Sequence, residues 1–203
     1  MGNYCWYEII DSMRENRTRY FSEVQYVFLD RDGVVNEKFH PGGYIRRWEQ
    51  FRFLPGAVEA IARIKRSGRK VIIVTNQRGV ATGLCSEPEL KVLHQDLQQY
   101  LREHAAGLDA LYYCPHDEGL CDCRKPQTGM FMQAFADFPE ANPRNSVMVG
   151  DSLCDIEAGR RVGMLTVLIA ENQPAVTPEQ TRAQALATAK APSLLAFVEQ
   201  YLS

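Results

Sequence analysis

Three short apolar runs, each bounded by turn residues, predict buried β-strands. They cover residues 27–29, 71–74 and 147–150. Apolar runs of this length are typical of strands that are buried on both faces of a sheet. The pattern predicts two more strands, over residues 109–113 and 165–169.

Stretches with helical spacing separate these strands. Helices are predicted over residues 56–67, 87–103, 129–138, 155–162 and 193–202. Strands that alternate with helices are typical of a parallel sheet with crossover connections. The pattern therefore predicts an α/β protein, a Rossmann-like three-layer sandwich with a central parallel sheet. Residues 171–190 are predicted to be a loose linker that could hold one short helix.

Polar side chains follow the three apolar runs at the point where each run ends. Asp30 and Asp32 follow the first, Thr75 ends the second, and Asp151 follows the third, with Asp155 one helical turn later. Ligands of an open parallel sheet bind outside the carboxyl ends of its strands. Alternate residues of an extended chain share a face, so Asp30 and Asp32 can approach one reaction centre. This spacing predicts one nucleophile and one proton carrier.

Two cations, Arg124 and Lys125, stand just before a proline between the second and third runs. Together with the polar residues above, they complete an ordered set that resembles the four motifs of the haloacid dehalogenase superfamily of phosphotransferases. The set consists of Asp30-x-Asp32, Thr75, Lys125, and Asp151 with Asp155.

This resemblance implies catalytic roles that suit the residue types. Asp30 is expected to be the nucleophile that forms an aspartyl phosphate, which splits one hard hydrolysis into two easier steps. Asp32 is expected to protonate the leaving alkoxide and then take a proton from the attacking water. Thr75 would hold a phosphate oxygen, and Lys125 would neutralise the nucleophile and the phosphate.

The same resemblance implies a catalytic Mg²⁺ ion. Asp30, Asp151 and the backbone carbonyl of Asp32 are its expected ligands, since Mg²⁺ prefers oxygen ligands. Asp155 would bind the metal through water or cap the following helix. Relatives often insert a cap domain after the first motif or between the second and third. Residues 34–70 and 77–124 have no room for one, so a capless member is expected.

A cluster of cysteines precedes Arg124. Cys114, His116, Cys121 and Cys123 place three thiols and one imidazole within ten residues. Such a set can close on Zn²⁺ as a tetrahedral site with no ligand position left for water, so a structural role is predicted. The alternative is a loop of unliganded cysteines. A zinc ion here would rigidify the loop that presents the catalytic lysine.

The combination of motifs closely resembles the heptose bisphosphate phosphatase and histidinol phosphatase subgroup, over roughly residues 24–172. The matching motifs are Asp-Arg-Asp-Gly, Thr-Asn-Gln, Cys-x-His with Cys-x-Cys-Arg-Lys-Pro, and Gly-Asp-Ser-x-x-Asp-Ile. The heptose branch, favoured by the flanking motifs, removes the 7-phosphate of D-glycero-D-manno-heptose 1,7-bisphosphate on the route to nucleotide-activated heptose for surface glycans. The resemblance implies Asn76, Arg124 and Arg78 as substrate-binding residues.

Three departures keep other substrates open. The gap between His116 and Cys121 is short, as in the histidinol branch, and Arg78 and Thr82 stand where a small residue and an arginine are expected. Histidinol phosphate would need acids at the rim, for which Glu37, Asp117 and Glu118 are candidates. A nucleic-acid 3'-phosphatase would need a basic, aromatic patch, and the only candidates are Trp48, Arg46, Arg47 and Arg52.

Composition narrows the class of partner. The formal net charge of −2 gives no general basic surface for nucleic acid, and no apolar run approaches the roughly 20 residues that span a membrane. Six cysteines without an export signal favour a cytoplasmic protein. We expect an N-terminal extension over residues 1–23, one domain over residues 24–203, and a monomer or weak homodimer that acts on a small phosphorylated sugar.

Overall fold

The computed structural model describes residues 20–39, 43–170 and 177–202, and its six strands form one parallel sheet. The strands are β1 (Tyr26–Leu29), β2 (Lys70–Asn76), β3 (Ala110–Cys114), β4 (Ser146–Gly150), β5 (Leu165–Ile169) and β6 (Ala189–Ala191). Their spatial order is β3-β2-β1-β4-β5-β6. The prediction of a central parallel sheet is therefore confirmed.

Helices cover both faces of this sheet. They are α1 (Ala57–Arg66), α2 (Glu87–Glu103), α3 (Gly129–Asp137), α4 (Leu153–Val162), α5 (Pro178–Leu186) and α6 (Leu194–Tyr201). Two short 3₁₀ helices, Trp48–Gln50 and Pro143–Asn145, lie between these elements. Ser86 begins α2 with a capping box, because its hydroxyl accepts from the Glu89 N–H while the Glu89 carboxylate accepts from Ser86.

The strands are apolar throughout because both of their faces are buried. In β1, Val27 and Leu29 enter the core formed with α1, α2 and α6, whereas Phe28 enters the core on the opposite face. There Phe28 packs against Phe131 of α3, with 5.5 Å between the ring centroids. Alternation along a strand thus feeds two cores, which gives the predicted three-layer sandwich.

The topology fixes where a site can form. The chain runs outward from β1 to β2 and β3, then returns to β4 on the other side of β1. Leu29 pairs in parallel register with Ile73 of β2 and with Val149 of β4. This reversal of strand order opens a crevice beyond the carboxyl ends of β1 and β4. The residues that follow these two strands are Asp30 and Asp151.

The predicted elements agree with the observed ones, with one omission. β6 begins in the stretch predicted to be a linker and ends one residue beyond it, and only three residues form it. The short helix expected in that linker is α5. Among the described residues, one 3₁₀ helix lies between β1 and α1, and α2 alone lies between β2 and β3. The capless architecture is confirmed.

The ends of the described chain meet in one core. Phe21 is buried, and its ring centroid lies 5.6 Å from that of Phe197 and 4.9 Å from that of Tyr201, both in α6. Residues 1–19 of the predicted extension and residues 171–176 of the predicted linker lie outside the described residues. Where the structure describes the chain, no helix combines the length and the apolar character that a membrane span requires.

Candidate active site

Lys125 joins the end of β1 to the start of α4. Its Nζ lies 2.9 Å from Asp30 Oδ1 and 2.7 Å from Asp155 Oδ1, and it donates to the Val74 carbonyl at 2.7 Å. The lysine side chain is only 1% exposed. Asp30, Lys125 and Asp155 are up to 125 positions apart in the sequence, and the fold brings them into contact. The sequence motifs predict that they share one site.

The electrostatics of this group depend on burial. Burial raises the pKa of Asp30 to about 7, against the attraction of Lys125 and with repulsion from Asp155, Asp151 and Asp32. Burial disfavours the charged form of Lys125, but Asp155 and Asp30 outweigh it and raise the pKa of the lysine. The site therefore keeps a permanent cation beside the expected nucleophile.

Asp32 is held on both carboxylate oxygens. Arg31 Nη2 donates to Oδ1 at 2.9 Å and to Oδ2 at 3.0 Å. Asn36 Nδ2 donates to Oδ1 and Gln77 Nε2 to Oδ2, each at 2.8 Å. Burial acts to raise the pKa of Asp32, but Arg31, Asn36 and Gln77 together hold it below its ordinary value. The expected proton carrier thus has a fixed plane and a full set of donors.

Thr75 lies in β2, where its side chain is buried. Gln77 Nε2 donates to Thr75 Oγ1 at 2.9 Å as well as to Asp32. The amide therefore ties the expected phosphate-holding hydroxyl to the expected proton carrier. Gln77 belongs to the quoted Thr-Asn-Gln motif, yet nothing in the sequence alone indicates that its amide bridges the two.

The carboxylates can hold a divalent cation. One oxygen from each of Asp30, Asp151 and Asp155 lies within 4.8 Å of the others. Within the described chain, Asp151 Oδ1 is buried and has no hydrogen-bond partner. Gly33 has a φ of +95°, and a Cβ there would lie 2.0 Å from Asp151 Oδ2, so only glycine allows this approach. An all-oxygen set with an unused buried oxygen suits Mg²⁺.

Asp155 also caps a helix. Its Oδ2 accepts from the backbone N–H of Ser152 at 3.1 Å and from the Ser152 hydroxyl. Its Oδ1 contacts Lys125 Nζ. The capping half of the expectation for Asp155 is therefore present in the geometry, and a role in metal binding through water stays a prediction.

Lys38 lies at the candidate site, although no sequence motif indicates it. Its Nζ forms an ion pair with Asp151 Oδ2 at 2.5 Å. Burial disfavours the charge of Lys38, but Asp151 outweighs it and raises the pKa of the lysine. Lys38 also lines a cavity of about 220 Å³ beside Asp32, together with Gly43 and Tyr44. Lys38 is not part of any of the sequence motifs, because it approaches Asp151 from the loop that follows β1.

The four predicted zinc ligands lie together. The sulfur atoms of Cys114, Cys121 and Cys123 are 3.1–3.5 Å apart. His116 Nδ1 lies 3.3 Å from the Cys123 sulfur and 3.7 Å from the Cys114 sulfur. A tetrahedral site with Zn–S bonds of about 2.3 Å has edges of about 3.8 Å, so the donors fit a zinc ion after a small expansion.

The cysteine loop leads directly into Lys125. Asn76 accepts from the Lys125 backbone N–H at 3.0 Å and donates to the Lys125 carbonyl at 3.0 Å. The side chain predicted to bind substrate thus holds the backbone of the lysine that is predicted to be catalytic. Its direct contact with substrate stays a prediction, whereas its contact with the lysine is a feature of the fold.

Two arginines line the rim of the cysteine loop. Arg78 Nε lies 2.6 Å from Asp117 Oδ1, and Arg124 Nη2 lies 3.6 Å from Glu118 Oε1. Arg124 Nη1 is buried and has no hydrogen-bond partner among the described residues. An unused donor on a guanidinium near Lys125 is what an anionic substrate group would bind.

A doubly wound sheet with paired aspartates, a buried lysine and an oxygen-lined cation site defines a metal-dependent phosphoryl-transfer enzyme. Residues 122–196 match the HAD-hydrolase-like family model. The chain is 39% identical over 137 residues to D-glycero-alpha-D-manno-heptose-1,7-bisphosphate 7-phosphatase of Mycobacterium tuberculosis, which covers 67% of this chain and 72% of the relative.

Other relatives and a solved structure agree. D-glycero-beta-D-manno-heptose-1,7-bisphosphate 7-phosphatase of Vibrio cholerae is 38% identical, with 80% of this chain and 88% of the relative covered. A crystal structure of D,D-heptose 1,7-bisphosphate phosphatase from B. bronchiseptica, complexed with magnesium and phosphate, has a TM-score of 0.74 and 29% identity. It covers 87% of this chain and 97% of that one. The chain therefore belongs to the haloacid dehalogenase superfamily, in the family of these phosphatases, and it is a phosphoric monoester hydrolase.

Proposed function

We propose that this enzyme hydrolyses the 7-phosphate of D-glycero-D-manno-heptose 1,7-bisphosphate through an aspartyl phosphate. The contact of Lys125 with Asp30, beside the fully held carboxylate of Asp32, carries the catalytic part of this proposal. The activity for which relatives at 38–39% identity are named supports the sugar.

The chain's own residues account for both halves of the reaction. Asp30 attacks phosphorus, and Lys125 offsets the charge of the nucleophile and the transferred group. Because its donors hold the pKa of Asp32 below the ordinary value, the proton that Asp32 passes to the leaving oxygen must enter with the substrate; Asp32 then accepts one from the water that attacks the phosphoenzyme. Thr75 holds a phosphate oxygen. A Mg²⁺ ion held by Asp30, Asp151 and the Asp32 carbonyl would supply further charge neutralisation.

The retained 1-phosphate is assigned to Arg124. Its free Nη1 and its position next to Lys125 support this assignment. Arg78 is assigned to the same phosphate or to the sugar, since its guanidinium lies at the rim on Asp117. Both arginines would exchange an exposed carboxylate partner for a phosphate, and exposed ion pairs are weak enough to permit this.

A structural zinc ion is proposed in the cysteine loop. The mutual distances of the four donors support it, as does a loop that ends at Lys125. The ion would take no part in the chemistry, because the cluster supplies all four ligands itself.

The geometry supports histidinol phosphate less well. A cationic substrate would have to separate Asp117 from Arg78 and Glu118 from Arg124, and both guanidinium groups would then stay beside its own positive charge. Of the three acids considered for this role, Glu37 has no ion pair among those of the described residues. The rim of the cysteine loop thus offers a balance of charge that suits an anion better than an imidazole with an amine.

The patch considered for nucleic acid is occupied by the protein itself. Trp48 stacks on Phe51 with 5.2 Å between ring centroids and also contacts Tyr100. Arg46 pairs with Glu89, and Arg52 donates to backbone carbonyls. A stacking platform needs a free aromatic face. We therefore propose a small phosphosugar as substrate, without nucleic acid.

The proposed setting is cytoplasmic, on the route to nucleotide-activated heptose for lipopolysaccharide and related surface glycans. Thiols that bind zinc must stay reduced, and a cytoplasmic location keeps them so. A monomer or weak homodimer remains the prediction for the assembly.

The test is phosphate release with Mg²⁺ from a matched panel. The panel contains both anomers of heptose 1,7-bisphosphate, histidinol phosphate and a 3'-phosphorylated oligonucleotide, with Asp30→Asn as blank. We expect the highest kcat/KM with one heptose bisphosphate, and both anomers are needed because relatives of each name occur at similar identity. A preference for histidinol phosphate would contradict the proposed substrate, and activity in Asp30→Asn would contradict the mechanism.

A further inference from the structure

Arg31, which separates the two motif aspartates, is almost entirely buried. Its side chain is 1% exposed. Its Nε donates to Asp32 Oδ1 at 3.3 Å. Its Nη2 lies within hydrogen-bond distance of both Asp32 oxygens and also of Gln77 Oε1, at 3.3 Å. Burying a guanidinium is costly unless its donors are used. Here the donors converge on the carboxylate that is expected to move protons.

A histidine supports the far side of the same guanidinium. Arg31 Nη1 lies 3.0 Å from His94 Nε2, and His94 is a buried residue of α2. Arginine has no acceptor, so Nε2 must accept this bond, and the neutral ring then carries its proton on Nδ1. Burial, then Arg31, lowers the pKa of His94 to about 3, so the ring remains an acceptor at neutral pH.

We infer that Arg31, held in place by His94, is a positioning residue that fixes the Asp32 carboxyl group for proton transfer to the leaving oxygen. The inference rests on the proposed function, in which Asp32 is the general acid and base. A planar guanidinium that grips both oxygens sets the plane of the carboxyl group, which a lysine point charge does not. Because small misplacements of catalytic groups can cost about 100-fold in rate, this support matters for turnover.

The test separates positioning from stability by varying the leaving group. The 7-phosphate ester of heptose 1,7-bisphosphate, used as the anomer that the wild type prefers, releases an alkoxide that needs the Asp32 proton, whereas 2,4-dinitrophenyl phosphate releases a phenolate that needs none. For Arg31→Met and Arg31→Lys we expect phosphoryl transfer from the alkyl ester to fall about 100-fold, in line with the loss of general acid catalysis. Release of dinitrophenol in the first turnover should change by less than about threefold, and slow hydrolysis should then follow this burst.

His94→Phe tests the contact between His94 and Arg31. It keeps a ring of similar size and removes the acceptor for Arg31. We expect a loss of about 10-fold that shows the same dependence on leaving group, with KM little changed. His104→Phe is the matched control, since His104 follows the end of α2 and is exposed, and its ring bonds to the Tyr100 carbonyl and stacks on the Tyr100 ring.

Arg69→Met is the matched control for Arg31. Arg69 is a partly buried arginine whose guanidinium bonds to the carbonyls of Val24 and Leu202, away from the site. Thermal unfolding of each variant reports stability separately. If Arg31→Met does not fold, Arg31→Lys and His94→Phe carry the same comparison of leaving groups.

The outcomes are distinct. Equal losses with both esters, or the same leaving-group dependence in Arg69→Met, would overturn the positioning role while the proposed function stands. A wild-type chain that transfers phosphate from neither ester to Asp30 would overturn the proposed function itself. Selective loss with the alkyl ester in the Arg31 and His94 variants would establish the inference.

Discussion

Asp30 and Asp32 are two residues apart, yet their environments shift their pKa values in opposite directions. Asp30 is surrounded by three other carboxylates and one lysine, and its pKa is raised to about 7. Asp32 receives an arginine and two amides, and its pKa is lowered. Like charges around Asp30 favour a bound cation, whereas the neutral and cationic donors around Asp32 orient it. These neighbours agree with the proposed roles of Asp30 as nucleophile and metal ligand and of Asp32 as proton carrier.

The ion pair between Lys38 and Asp151 is expected to weaken Mg²⁺ binding at the carboxylate site. The ammonium group of Lys38 neutralises Asp151, so it competes with a metal at that carboxylate. Lys38→Met should bind Mg²⁺ about fivefold more tightly, because a half-exposed ion pair is worth roughly 1 kcal/mol. Calorimetric titration with Mg²⁺ measures this directly. Lys91→Met, which removes an exposed lysine paired with Glu87, should leave the affinity unchanged; weaker binding in Lys38→Met would refute the competition.

The buried, neutral ring of His94 is expected to make the fold less stable in acid. The buried ring has a pKa of about 3, against an ordinary value of 6.5, because burial and Arg31 disfavour its charged form, while Asp32 favours it. Below pH 6.5 the His94 ring takes up a proton in the unfolded chain but not in the folded chain. The contribution of His94 to the free energy of unfolding is therefore complete above pH 6.5 and declines as the pH falls toward 3. Between pH 7 and pH 5 the decline should be about 2 kcal/mol.

Urea unfolding of wild type and His94→Phe at pH 7 and pH 5 checks this prediction. The wild type should lose more free energy of unfolding than the variant over that interval, and the excess is the contribution of His94. His104→Phe is the matched control, because it removes an exposed histidine ring that follows the same helix. Equal pH dependence in wild type and His94→Phe would show that the ring is not held neutral.

At the scale of elements, the cysteine loop joins β3 to Lys125, the proposed catalytic lysine. Cys114 ends β3, and Cys123 lies two residues before Lys125. On the β2 side, Asn76 bonds both backbone polar groups of Lys125. The backbone of the lysine is thus fixed by an amide, and the path of the loop before it is fixed by the cluster.

Loss of a cluster ligand should therefore lower activity without touching the reacting groups. Cys121→Ser should lose bound zinc and reduce kcat by about 10- to 100-fold, as is typical when support of a catalytic group is removed. Metal analysis and phosphate-release assays measure the two effects. Cys85→Ser, which changes a buried thiol outside the cluster, should retain both zinc and turnover. Full activity in a zinc-free sample would contradict the structural role.

At the scale of the whole molecule, the start of the described chain is part of the domain core. Phe21 packs against the two aromatic rings of α6. Phe21→Ala should lower the free energy of unfolding by about 3–5 kcal/mol, the usual cost of truncating a buried phenylalanine. Tyr20→Ala, at an exposed neighbour, should change it little. Equal effects on thermal unfolding would mean that residues 20–23 belong to a separate extension.

The sequence by itself determined the architecture and the motif residues. Apolar runs and helical spacing are local patterns, and they located five of the six strands and most helix ends within a few residues. Asp30, Thr75 and Asp151 could be found because strand ends of a parallel sheet meet at one edge, and Lys125 could be found from the resemblance of the ordered motifs to a known superfamily. The cysteine cluster could be found because its donors lie within ten residues.

Tertiary structure alone decided which side chains support these groups. Arg31 and His94 are 63 positions apart, and a buried histidine on a helix face looks like any core residue. Lys38 and the acids of the cysteine loop gained their partners only when loops met above the sheet, and the three residues of β6 pair only because β5 offers an edge. Local patterns encode elements and motifs, but contacts between distant segments depend on how the whole chain packs, which no short stretch of sequence records.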